Sequence, residues 1–342
     1  MQLEPKASDF SPHDLERLAE FLGEDTDDPW DHEAALAFLA ISQSETGAQA
    51  IQSTLESDNV RLAVAVLTAV AERWPDTRFR PSLERFARNA TASRALRIPA
   101  ALGLYRMGER EGFEILVGYA VGDGTGTHES RGGACGYLSQ FTRAEDLDAL
   151  VPLIGAGAYM SVAHRLIGEK GEALIPRLKQ EFSGARHKDY VAFTLCQLGD
   201  REAFEHTKRV LLSYDETGER DKRVLLKNYD QTGERDYPII WAIDALVGLY
   251  LSQPRRWSSE DLCPFFRDLL IQQMRQPRGG DPGLIGRVLV ELRRCECRGD
   301  STQQVLTQLA AHLERGPQWD DKEKTRLFSH LVQFRKWLTT SE

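Results

Sequence analysis

The chain has 342 residues, 41% of them apolar, and a formal net charge of −9. That apolar share supports a continuous core and excludes a wholly disordered chain, while the charge disfavours nucleic acid as a partner, since phosphate-backbone binding needs clustered Lys and Arg. The longest apolar stretches, such as Leu62 to Val70, fall short of the roughly 20 residues that a membrane span requires, so no membrane association is expected.

At the N-terminus no basic region is followed by an apolar one, and no secretion signal is expected. A lone helix is predicted near 11–23, followed by an acidic cluster of Glu24, Asp25, Asp27, Asp28 and Asp31. Together, residues 1–30 form a capping helix and an acidic linker. Helical periodicity then predicts pairs near 31–57, 58–90, 93–121, 127–155, 158–183 and 187–213. After an insertion at 214–236, further pairs are expected near 237–275 and 281–315, with a last helix near 321–338 as the C-terminal cap of a divergent region, 237–342.

The feature that orders these helices is a recurrence. Met107-Gly108-Glu109-Arg110-Glu111-Gly112-Phe113-Glu114 returns as Leu198-Gly199-Asp200-Arg201-Glu202-Ala203-Phe204-Glu205, each copy lying between two apolar, helix-like runs. Degraded echoes occur at Phe141 to Leu147 and Ile167 to Ala173. A period on the order of thirty residues signals a repeat array, in which each hairpin buries its apolar face against its neighbours. In each unit the glycine ends the first helix by adopting a left-handed conformation. The acidic residues after it favour the start of the second helix. Small residues on the first helices, among them Ala100, Ala101, Gly103, Gly132, Gly133, Ala134 and Gly136, allow close packing.

These residues resemble the HEAT-repeat family, including the short bacterial form called the phycobilin-lyase-type HEAT-like repeat. Cys196 to Phe204 carries the resemblance most closely. It covers roughly 31–213 well and 237–315 loosely. Two departures are Pro99 inside a first helix and later repeats without the Gly-Asp turn. The resemblance implies an all-α fold, a right-handed α-solenoid of about eight antiparallel helical pairs, whose concave face usually binds proteins.

The insertion holds a shorter duplication, Lys208 to Asp221 followed by Lys222 to Asp236. Val210-Leu211-Leu212 either enters a hairpin turning at Gly218 or completes the preceding helix. Within the insertion, Tyr214, Asp215, Tyr229 and Asp230 are candidate partner contacts, because tyrosine combines large contact area with a polar tip. A second candidate surface is the stretch from Arg73 to Arg97, with seven arginines against Asp76 and Glu84. Arg78, Arg80, Arg85 and Arg88 are its candidate contact residues, for a protein or, as an alternative, for nucleic acid. Acidic and basic patches of this kind set orientation and partner choice.

His32-Glu33 and His128-Glu129 open first helices in the same register. This resembles the deoxyhypusine hydroxylase family, in which His-Glu pairs from several repeats bind a di-iron centre. That family uses four pairs; here the intervening repeats carry Asn59-Val60 and Arg97-Ile98, and a later one reads His187-Lys188. HEAT-like DNA glycosylases offer a further enzymatic comparison, but they need a positively charged groove. Gly122 to Thr127 is a glycine-rich turn before a helix that could cradle an anion or simply connect repeats. The five cysteines, Cys135, Cys196, Cys263, Cys295 and Cys297, are scattered and odd in number. They are expected as free thiols in a reduced, cytoplasmic setting, and Cys295-Glu296-Cys297 lacks the second pair of ligands that structural zinc requires.

The expectation is therefore a non-enzymatic scaffold or adaptor without catalytic residues, cofactor or metal, binding a protein partner on its concave face. The alternatives are a metal-dependent hydroxylase or chromophore lyase on the same repeats, and nucleic-acid binding through Arg73 to Arg97.

Overall fold

The computed structural model describes residues 10–22, 29–57, 59–122, 128–157, 160–213, 237–252, 258–276, 281–315 and 320–339; at 29–33, 128–130, 213, 237–240, 250 and 252 the description is of backbone alone. Among the described residues the regular structure is entirely helical, with no strand. No helix is long and apolar enough to cross a membrane. The chain divides into two compact units, 1–166 and 167–342.

The first unit holds α1 (Pro12–Phe21), α2 (Pro29–Ser42), α3 (Glu45–Glu56), α4 (Val60–Arg73), α5 (Arg80–Arg88), α6 (Arg94–Arg106), α7 (Arg110–Val121), α8 (His128–Phe141) and α9 (Val151–Gly155). A helix α10 (Met160–Lys170) spans the division. Within the first unit one packing rule repeats. Helix α2 packs on α4, α4 on α6 and α6 on α8, while α3, α5 and α7 lie beside them. Helix α6 shows why the even-numbered helices are interior. Ile98 through Tyr105 are all buried, so the helix is apolar all round rather than amphipathic. Pro99 sits inside α6 without ending it.

The second unit holds α11 (Ile175–Gly184), α12 (Lys188–Gln197), α13 (Arg201–Ser213), α14 (Tyr237–Ser252), α15 (Ser259–Arg275), α16 (Pro282–Arg294), α17 (Asp300–Glu314) and α18 (Asp321–Thr339). Here α12 packs on α14 and α16 on α18. Tyr190 of α12 stacks on Trp241 of α14 with ring centroids 4.7 Å apart. Val210-Leu211-Leu212 completes α13; the rest of the duplication, 214–236, lies outside the described residues.

The turn that defines the repeat is built identically in both octets. Gly108 has φ +102° and Gly199 φ +88°. The Glu109 N–H donates to Leu104 O at 3.0 Å, and Asp200 N–H to Leu195 O at 3.1 Å. This long backward bond satisfies a carbonyl that the helix end leaves open. A third copy closes α16, where Cys297 N–H donates to Leu292 O at 2.9 Å. There the glycine's place is taken by Glu296, at φ +53°. The later region does lack Gly-Asp, but it keeps the turn, at the cost of a side chain in a region that favours glycine.

The cysteines correct one expectation. Cys135, Cys196 and Cys295 are free and buried, but Cys263 on α15 and Cys297 after α16 form a disulfide. The pairing joins residues 34 apart in sequence, and no spacing pattern announces it.

The octets differ at one packing position. A Cβ on Gly112 would lie 2.5 Å from Tyr105 N and closer still to Ala101 O, both backbone atoms. The other octet has Ala203 there, buried without conflict. Helices α6 and α7 thus approach more closely than α12 and α13. Gly112→Ala is expected to destabilise the first unit by about 1–3 kcal/mol through overpacking, despite alanine's better helix propensity. Urea unfolding reads this; a stabilised Gly112→Ala protein would refute the close approach.

Candidate functional site

The arginines singled out above are engaged with neighbouring hairpins. Arg78 pairs with Glu45 at 2.9 Å and Asp76 at 3.0 Å, and lies over the Trp74 ring. Arg80 pairs with Glu109, and Arg85 donates to the Leu55 carbonyl. Arg88 reaches Glu111 at 2.7 Å and Glu84 at 3.3 Å. Hydrogen bonding from Asp76 raises the Arg78 pKa above its usual value, and bonding from Arg88 holds the Glu111 carboxyl below the ordinary carboxylate range. One hairpin further on, Arg110 pairs with Asp146. In the second unit Lys179 meets Asp200 at 2.7 Å. Asp200 also accepts the Ala203 N–H at 2.9 Å. Burial pushes its pKa up, but the bonds from Lys179 and the backbone outweigh that, and the net shift is down. Charge after charge thus ties one hairpin to the next. Exposed pairs of this kind contribute about 0.2–1 kcal/mol each and chiefly fix register.

The other sequence candidates are placed less fully. His128 is the first residue of α8 and His32 lies in the first turn of α2. The side chains of both His-Glu pairs lie outside the described set, as do Gly-rich residues 123–127 and the candidates Tyr214, Asp215, Tyr229 and Asp230. Among the described residues, no group of three or more His, Cys, Asp or Glu is placed to hold a metal ion.

A site that sequence reasoning missed lies in the second unit. Helices α14, α16 and α18 enclose a cavity of about 380 Å3 with an apolar floor of Ile243, Leu284, Val290 and Leu327. Gly286 lets α16 and α18 close on each other, since a Cβ there would be 3.3 Å from Leu327 Cδ2 and 3.8 Å from His330 Cδ2. Charged groups surround the floor: Arg287, Glu323, Arg326 and His330. A second cavity of about 380 Å3 adjoins the first, sharing Val290 and His330, and adds Arg293, Phe334 and Trp337.

Beneath the rim sits Glu291, whose side chain is fully buried on α16. Its Oε1 lies 2.9 Å from Arg287 Nε and its Oε2 3.2 Å from Arg294 Nη1. Arg287 also reaches Asp244 on α14. Burial pushes the Glu291 carboxyl pKa up; Arg287 and Arg294 oppose this, Asp244 adds to it, and the net shift is upward. A buried charge held by two arginines organises the cavity wall more than it stabilises the fold. The sequence signal was a carboxylate inside the apolar run Leu289-Val290-Glu291-Leu292, with arginines four residues before and three after.

With this geometry in place, the comparisons with known proteins add no name: no family model matches the chain, and neither a curated protein nor a solved structure does.

Proposed function

We propose that the chain is a HEAT-like α-solenoid that acts as a non-enzymatic scaffold, binding a protein partner across the concave face of its stacked hairpins. The observation that carries this reading is the packing rule inside each unit, where alternate helices stack and one glycine-type turn recurs at Gly108, Gly199 and Glu296. Stacked hairpins generate extended surface, and such surface serves recognition. The nucleic-acid alternative draws less support, because Arg78, Arg80 and Arg88 already face carboxylates. A cytoplasmic setting belongs to the same proposal. The Cys263–Cys297 bond could persist there because both sulfurs are shielded, Cys297 being 1% exposed and Cys263 8%.

Cross-linking of the tagged full chain inside its source cells, read by mass spectrometry, tests the reading. The expected result is one dominant protein adduct mapping to exposed residues of the stacked hairpins. Metal content measured on the same preparation supplies the opposing outcome. Stoichiometric transition metal that is lost in the His32→Ala and His128→Ala variants would replace the scaffold with the hydroxylase alternative.

A further inference from the structure

The two adjoining cavities between α16 and α18 have the composition of a small-molecule site. Each holds about 380 Å3, within the ~300–1,000 Å3 typical of ligand pockets. They share Val290 and His330, so together they form an elongated recess with an apolar floor and a polar rim.

The rim decides the charge of the ligand. Arg287 is engaged by Asp244 and Glu291. Glu323 accepts the Asp320 N–H at 3.2 Å as part of the turn that opens α18. Arg326 and His330 stand one turn apart on α18, and both line the first cavity. Neither forms an ion pair with another described residue, and Arg293 beside the second cavity is in the same state. The rim groups left for a ligand are therefore donors, two of them permanently cationic. An anion meets that need, and a cation does not.

The floor decides the rest of the ligand. Ile243, Leu284, Val290 and Leu327 offer it no polar side chain, and Phe334 and Trp337 extend the apolar surface into the second cavity. We propose that this recess binds an apolar chain of medium length ending in a carboxylate, with Arg326 and His330 holding the carboxylate and the floor covering the chain. This site stands apart from the scaffold reading and survives its failure.

Calorimetric titration of the full chain with decanoate, alongside decylamine and 1-decanol, tests it. Saturable binding at one equivalent of decanoate is expected, with decylamine failing to compete. A guanidinium–carboxylate bond lost in Arg326→Gln is expected to weaken decanoate binding by about tenfold or more. Gly286→Leu, which fills the recess, is expected to abolish it. Arg326 is exposed, so its variant keeps the test intact if Gly286→Leu fails to fold. Equal affinity for decanoate and decylamine, no saturable binding, or binding indifferent to Arg326→Gln in a folded protein would each overturn the proposal.

Discussion

Alanine in place of Phe113 is expected to destabilise the first unit by about 3–5 kcal/mol, and alanine in place of Phe204 the second by a similar amount. Both rings are 1% exposed, and each follows the glycine turn at the same octet position. Phe113 packs on Tyr105 with centroids 5.2 Å apart, under the Arg110 guanidinium. Phe204 lies under Arg201 and Lys208. In both copies the ring is the first apolar side chain of the second helix and anchors it onto the first. Truncation leaves a cavity whose walls belong to two helices and cannot close without moving one of them. The next residue provides the control. Glu114 is exposed, and Glu114→Ala should change stability by no more than about 0.5 kcal/mol. Urea unfolding of the three variants measures all of this. If Phe113→Ala and Phe204→Ala differed by several kcal/mol, the octets would share a sequence without sharing a structural role.

Loss of the Cys263–Cys297 bond is expected to have the next largest effect. It closes a loop of 34 residues that contains the end of α15 and all of α16. Releasing such a loop in the unfolded chain costs the native state about 2–4 kcal/mol. The Cys297→Ala variant should therefore unfold at lower urea, with the shift confined to the second unit. Thiol counting gives an independent reading. Cys135, Cys196 and Cys295 are buried, and burial pushes the Cys196 and Cys295 thiols up to about 12. The folded protein should resist alkylation, since the reactive thiolate is both hidden and scarce. Unfolding without reductant should expose three thiols, and unfolding with reductant five. Five without reductant would show that the bond does not form in solution.

Much of the helical framework was legible because its causes are local. Apolar spacing marks a helix wherever it occurs, and Gly108 and Gly199 mark turns because they adopt positive φ without a Cβ penalty. The observed pairs, from α2–α3 to α16–α17, fall within or close to the spans expected from periodicity. The turn at Glu296 escaped notice for the same local reason. A glutamate carries no turn signal, and its backbone conformation is imposed by the Cys297 N–H bond to Leu292 O.

The site was much less legible. Arg78 to Arg88 reads as a basic patch in sequence, because linear counting cannot see Glu45, Glu109 and Glu111 arriving from other hairpins. The recess beside His330 needs α14, α16 and α18 together, and Gly286 gives no sign in sequence of which helix it admits.

The sequence by itself determined that this protein is helical, where most of its helices begin and end, and that one octet is used twice. Those properties follow from periodicity and backbone freedom, which act over a few residues. Tertiary structure alone decided which carboxylate meets which arginine, which two of five cysteines pair, and where an apolar recess opens. These depend on side chains separated by about thirty residues or more, brought together only when hairpins stack.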